Sequence, residues 1–306
     1  MKKIIASLLI GSTVNLLAFD YKLEPKMVNQ NTWCFLGNIE APSKKNGGFM
    51  SNHCYVKTSK SYVLIDAGAT YELAHQAYIA MSKIKKLPVS TVIATHEHDD
   101  HWLGTSFYKE KFNAKIIGPS LINKNYNKDS KTRMFKILSE DAIKNTKIVK
   151  VDKIIKESTS IIIDDTEFQI IPIGSKAHTS EDLFVYIPNN KTLFSGDLIM
   201  NGRITSNRHG SVVGQLKAIK MMNNMGFKNL IAGHGHDTSK NAIKETEKYF
   251  TLLKQRILKA IEEDIGPEEV TKTVKMEEFK NKALYGQLNK RNVFDAYGEL
   301  EFYEEE

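Results

Sequence analysis

A chain of 306 residues, 41% of them hydrophobic, is long enough to bury one large core or two modest ones, and its composition excludes a disordered protein. The formal net charge is +7, but basic and acidic residues are interleaved throughout and no basic stripe with aromatics occurs, so nucleic acid is not an expected partner.

The first segment reads Met1-Lys2-Lys3, then the apolar run IIASLLIGSTVNLLA, closed by Ala18 before Phe19-Asp20. That is the pattern of a secretory signal peptide over residues 1–18, with cleavage expected after Ala18 and an uncleaved N-terminal anchor as the alternative. The run is short and interrupted by Ser12, Thr13 and Asn15, unlike a membrane span of about 20 apolar residues. No later segment is apolar for long enough either, so the mature chain is expected in the periplasm without a membrane span. Export permits a disulfide between Cys34 and Cys54, although two separately buried thiols also satisfy the sequence.

Short strands are expected at Trp33 to Gly37, Met50 to Lys57 and Ser61 to Asp66, the last ending in a turn at Gly68. YELAHQAYIAMSKIKK carries apolar residues at helical spacing and a basic end. STVIAT is a strand, LGTSFYKEKF a helix and AKIIGPS a strand. Residues 120–155 are lysine-rich, with a helical stretch near RMFKILSEDAIKN that either covers a site or packs outside. TSIIIDD, TEFQIIPIG, DLFVYIP and KTLFSGDLIM read as further strands, with a turn at Pro188-Asn189-Asn190. GQLKAIKMMNNM is a helix, NLIAGHG a strand ending in a loop, and residues 239–264 one long amphipathic helix. This order implies an α/β protein of two packed sheets with outer helices over residues 19–265, then a helical extension over residues 266–306.

The chemistry concentrates at strand ends. The run His96-Glu97-His98-Asp99-Asp100-His101 places three histidines within six residues after an apolar strand. Imidazoles and a carboxylate are the usual ligands of zinc, and catalytic sites leave one position open for water. Three further strand ends each deliver a ligand-type residue at a turn: His178 in IGSKAHTSED, Asp197 in LFSGDLI and His234 in IAGHGHD.

On these residues the chain resembles the metallo-β-lactamase superfamily, from about Trp33 to Asp237. The resemblance implies the αββα four-layer sandwich with two metals at one edge. His96, His98 and His178 would hold the first, Asp100, His101 and His234 the second, and Asp197 would bridge them. It also implies a binuclear zinc hydrolase with Asp100 as catalytic residue, two zinc ions per chain, and Fe or Mn as compatible substitutes. Ser195-Gly196-Asp197 resembles the broader hydrolases rather than the β-lactam-cleaving members, and the C-terminal stretch is similar to exported zinc hydrolases associated with sulfur oxidation and quinoproteins.

The expected activity is hydrolysis of a small ester, amide, thioester or lactone. Three alternatives are β-lactam hydrolysis, a mononuclear iron sulfur dioxygenase, and a non-catalytic metal-loaded periplasmic binding partner. Arg203, His209 and His236 are substrate-binding candidates set against ordinary loop roles. His53 and His75 read as structural, and Met221, Met222 and Met225 as helix packing. No sequence feature sets an oligomeric state.

Overall fold

The computed structural model describes residues 19–304, so the expected signal peptide lies outside the described residues. Strands β1 (Lys26–Asn29), β2 (Thr32–Phe35), β3 (His53–Lys57) and β4 (Tyr62–Ile65) form an antiparallel meander. Helix α1 (Tyr71–Ile84) begins where Thr70 accepts a hydrogen bond from the Leu73 amide, and it leads to β5 (Val89–Ile93), parallel to β4. Helices α2 (Asp99–Trp102) and α3 (Thr105–Phe112) precede β6 (Lys115–Gly118). Helices α4 (Ser120–Asn125), α5 (Arg133–Ile137) and α6 (Glu140–Ile143) then lead to β7 (Lys153–Ile154), the last strand of a seven-stranded sheet ordered β1 to β7.

The second sheet has five strands: β8 (Thr159–Ile163), β9 (Thr166–Pro172), β10 (Leu183–Ile187), β11 (Thr192–Met200) and β12 (Asn229–His234). Helix α7 (Val212–Asn223) makes the crossover from β11 to the parallel β12. The long helix α8 (Ala242–Glu262), then α9 (Pro267–Thr273) and α10 (Tyr285–Leu300), complete the chain.

Because successive side chains of a strand point to opposite faces, each sheet serves two cores. Cys34, Cys54, Val56, Val63, Ile65 and Ile93 meet Phe168, Ile170, Leu183, Val185 and Phe194 between the sheets. Their alternates Trp33, Phe35, Tyr55, Leu64 and Val92 pack with Ala74, Ala77, Met81 and Phe107 of α1 and α3. On the far side, Phe184, Tyr186 and Leu193 meet Ile219 and Met222 of α7 and Ile243 of α8. The result is four layers, helix–sheet–sheet–helix, as expected.

The helical extension is present and packs Val293, Ala296, Tyr297 and Leu300 of α10 against Tyr249, Phe250, Leu253 and Ile257 of α8. It also grips the loop after β11. The Asn292 amide donates to the Thr205 carbonyl at 2.7 Å and accepts from the Asn207 amide at 2.9 Å, while Glu299 accepts from Ser211 Oγ and the Val212 amide.

Several details depart from the expectation. β1 and β7 are short additions, and β3 starts at His53 rather than Met50 because the preceding residues are committed elsewhere. Ser51 Oγ donates to the Asp100 carbonyl, and the Asn52 side chain donates to the Ala232 and Gly235 carbonyls. The helical stretch near residue 133 breaks into α5 and α6 where Leu138 and Ser139 turn extended. Residues 120–155 cover the site rather than packing outside: Tyr126 lies against Trp102 at 5.1 Å between ring centroids, and both Tyr126 and Arg133 line the cavity over the site. Among the described residues, no helix is long and apolar enough to cross a membrane.

Cys34 and Cys54 are directly opposite on β2 and β3, with Cα atoms 4.1 Å apart, and are joined in a disulfide buried between the sheets. The loop it closes has a sequence separation of 20. Reduction, or Cys34→Ser with Cys54→Ser, is expected to lower stability by about 3 kcal/mol through the entropy of the freed unfolded chain. Urea denaturation with and without reductant measures this directly, and coincident midpoints would refute it.

Candidate metal centre

Rigid strands bring the site residues to one edge of the sandwich. After β5 the backbone bends at His96 and Glu97, is extended again at His98 and turns into α2 at Asp99, which separates His96 and His98 from Asp100 and His101. β11 is buried along its whole length, and its pairing with β12 slips on either side of Gly196, re-aiming Asp197. Gly196 has φ +51, and a Cβ there would lie 2.5 Å from Thr95 Oγ1. At Gly233, one residue before His234, a Cβ would lie 2.0 Å from Asp197 Oδ1. Glycine at these two positions gives the carboxylate its space.

The seven residues singled out as ligands converge in two groups. His96, His98, His178 and Asp197 form one and Asp100, His101 and His234 the other, the ligand atoms within each lying within 4.8 Å of one another. Asp197 spans them. Its Oδ2 is 3.6 Å from His96 Nε2 and 3.2 Å from His178 Nε2, while its Oδ1 is 3.1 Å from His101 Nε2 and 3.3 Å from His234 Nε2. Asp100 Oδ2 is 3.3 Å from His234 Nε2 and 3.6 Å from His101 Nε2. His178 Nε2 is 3.0 Å from His98 Nδ1.

The hydrogen bonds behind these rings decide where their protons sit. His101 Nδ1 donates to Asp66 Oδ2 at 2.8 Å. Thr95 Oγ1 donates to the same oxygen at 3.0 Å, so it accepts from His96 Nδ1 at 3.1 Å. His234 Nδ1 donates to the Met50 carbonyl at 2.7 Å. In the neutral rings, each Nε2 of His96, His101 and His234 therefore presents a lone pair toward carboxylate oxygens. His96 Nε2, His101 Nε2 and Asp197 Oδ1 are buried and make no hydrogen bond among the described residues. Lone pairs and carboxylates aimed at common points in a dry site fit divalent cations, and the imidazole–carboxylate donor set fits zinc, iron or manganese.

The electrostatics agree. Burial alone would raise Asp197 and Asp100. The imidazoles of His234, His101 and His96 hold Asp197 well below the usual carboxylate range, and His101 with the Arg133 guanidinium does so for Asp100. Burial pushes His96 and His98 well down. His101 is lifted well above an ordinary histidine because Asp197, Asp66 and Asp100 outweigh its burial, and His178 is lifted because its hydrogen bond to Asp197 does the same. A cation held among these groups would compete with protons for the same ligand atoms.

A cavity of about 180 Å³ opens over the groups, lined among others by Arg133, Arg203, Arg208 and His209. Arg203 is only 7% exposed, and its Nε is buried without a partner among the described residues. Its Nη1 lies 3.2 Å from His234 Nδ1, a nitrogen whose proton already goes to Met50. His209 lies near His98, 5.8 Å between ring centroids. His236 is not part of this lining; its ring nitrogen meets the Gly37 carbonyl at 2.8 Å. His53 is fully buried against Phe35 and is pushed down to about 3 by that burial, whereas His75 sits on α1 beside Glu72.

Asp66 is the residue that sequence reasoning passed over, although it ends the strand in VLIDAG much as Asp197 interrupts LFSGDLI. It takes a left-handed φ of +58, its Oδ1 accepts from the Thr95 amide at 2.8 Å, and its Oδ2 orients His101 directly and His96 through Thr95.

A sandwich of this topology, with a pair of His/Asp groups gathered at one edge, defines a class of metal-centre proteins. The metallo-beta-lactamase superfamily model matches residues 46–245, and the chain belongs to that superfamily. It is 29% identical over 154 residues to the metallo-beta-lactamase type 2 of Elizabethkingia meningoseptica, covering 50% of this chain and 54% of that protein. It is 23% identical over 162 residues to a hydroxyacylglutathione hydrolase of Bartonella tribocorum, covering 52% of this chain and 53% of that protein. The chain thus spans about half the length of these two curated relatives. Among solved structures, a metallo-beta-lactamase from Pontibacter korlensis superposes with a TM-score of 0.59 at 19% identity, covering 75% of this chain and 99% of that one. That likeness establishes the fold.

Asp66→Ala removes the acceptor that orients rings in both groups. Metal affinity is expected to fall about 10- to 100-fold, measured by competition with a chromophoric chelator; wild-type affinity would rule out the orienting role.

Proposed function

We propose that this chain is an exported metal-dependent hydrolase with two metal ions, zinc first among them, acting on a small ester, amide, thioester or lactone. The observation that carries the reading is Asp197, whose two carboxylate oxygens face separate histidine groups at 3.1–3.6 Å. A divalent pair so held would supply a water acidified toward neutrality and a Lewis acid for the scissile oxygen. His96, His98, His178 and Asp197 would hold one ion and Asp100, His101 and His234 the other, with Asp197 shared.

The chain's own groups supply the rest. Asp100 lines the cavity with Oδ2 turned to the histidines, where it would orient the attacking water as well as hold the second ion. The 7% exposed Arg203 guanidinium, which no carboxylate pairs with among the described residues, favours a substrate carrying an anionic group. His209, at the same wall, is suited to hydrogen bond the bound substrate. The buried Cys34–Cys54 disulfide supports export, because such bonds persist in oxidising compartments. The mature protein recovered from its own compartment is expected to begin at Phe19; its intact mass tests this, and a chain still beginning at Met1 would argue for an uncleaved leader.

The decisive experiment counts metals and screens a panel of ester, thioester and lactone substrates, each as a carboxylate-bearing and a neutral analogue. About two zinc ions per chain and preference for the anionic member are expected. Asp100→Asn should lower kcat by about 10²-fold or more with an unchanged far-UV spectrum. Undiminished turnover in that variant would sink the assignment of Asp100. Nitrocefin opening with kcat/KM above ~10⁴ M⁻¹s⁻¹ would redirect the reading to β-lactams, and one iron per chain with oxygen consumption would redirect it to an oxygenase.

A further inference from the structure

Asp100 uses its two carboxylate oxygens differently. Oδ2 faces His234 and His101, whereas Oδ1 accepts a hydrogen bond from Arg133 Nη2 at 2.7 Å. Among the described residues Arg133 is the one donor to Oδ1. The same guanidinium reaches the neighbouring Asp99, with Nη2 at 2.8 Å and Nε at 3.2 Å from its Oδ1, and the Met134 amide meets Asp99 Oδ2 at 3.0 Å. One residue thus ties down two consecutive carboxylates at the start of α2, and a hydrogen bond to one oxygen restricts a terminal torsion that is otherwise broad.

Arg133 does not come from the strands that supply the ligands. It opens α5, in the segment between β6 and β7, and that segment is anchored on the sandwich at other points. Tyr126 packs on Trp102, the Asn125 amide bonds the Glu97 carboxylate, and Glu181 accepts from Ser120 Oγ and the Leu121 amide. The guanidinium therefore arrives from a fixed platform.

We propose that Arg133 is a positioning residue for the second group: by holding Asp100 Oδ1 it presents Oδ2 alone to His101 and His234, which makes the β6–β7 segment an integral part of that metal site. The role rests on the two-metal reading above. It is selective, because His96 is oriented by Thr95 and Asp66, and Arg133 bonds none of His96, His98 and His178. Removing the guanidinium leaves Oδ1 buried without a donor and frees the carboxylate to turn.

The test is a stepwise metal titration of chelator-stripped protein with Co²⁺, followed by its visible spectrum and by competition with a chromophoric chelator. Wild type is expected to take two equivalents. Arg133→Met should bind the first equivalent within about threefold of wild type and the second about 10- to 100-fold more weakly. Arg133→Lys, which can bond one carboxylate but cannot fork across two, should recover part of the loss. A second equivalent unchanged in Arg133→Met, or both equivalents weakened alike, would overturn the role while leaving the two-metal reading intact. Wild-type protein that binds a single equivalent would overturn both. If Arg133→Met does not fold by circular dichroism, Arg133→Lys is judged by the same criterion: a second-site loss with the first site spared supports the role, and no difference refutes it.

Discussion

Asp197 is a carboxylate only 4% exposed, deep at the edge where two sheets meet, and the arrangement around it follows from having to keep a negative charge there. A buried charge without compensation is strongly destabilising. The imidazoles around it come from both halves of the fold: His96, after β5 of the first sheet, and His234, at the end of β12 of the second, face its two oxygens, and His101, held well above an ordinary histidine, stands beside them. The strands are the means by which distant segments of sequence are held within a few ångströms. Their glycines are part of the same requirement, because at Gly196 and Gly233 any side chain would occupy the space that Asp197 and Thr95 use.

Behind the clustered imidazoles a set of hydrogen bonds fixes the rings. Asp66 governs His101 and, through Thr95, His96; the Met50 carbonyl governs His234; and Ser51 and Asn52, on the same stretch, brace the backbone at Asp100 and at residues 232–235. These contacts explain why the chain leaves strand geometry between Met50 and His53. Backbone groups that a regular ladder would consume are here spent on the site.

The cluster of seven His and Asp residues was legible in the sequence because its members lie within or just beyond apolar strands, Asp197 inside β11 and His178 in the loop after β9, where a polar residue has little structural reason to be. Layer order was legible for a similar reason, since alternation and helical periodicity report burial. Other features depend on pairings that periodicity does not encode. Whether Cys34 and Cys54 bond turns on the register of β2 against β3 across an intervening loop. Arg133 reaches Asp100 only through the placement of α5, in a segment whose lysine-rich composition resembles any solvated surface. Asp66 had a readable signal, an aspartate closing a buried strand before glycine, but a lone strand-end aspartate is also a common turn residue. β1, half of it exposed, and β7, two residues long, carry too little pattern to be seen.

The grip of α10 on the loop after β11 has an evolutionary consequence. Asn292 and Glu299 fix the backbone at Thr205, Asn207 and Val212, so the span carrying Arg203, Arg208 and His209 is anchored from outside as well as by its own Ser206 and Ser211. The conformational entropy of that loop is already lost before any substrate arrives. Its cavity-facing residues are thereby relieved of a folding duty and are free to diverge: an exchange at these positions alters what is recognised without first having to re-establish the loop that presents it.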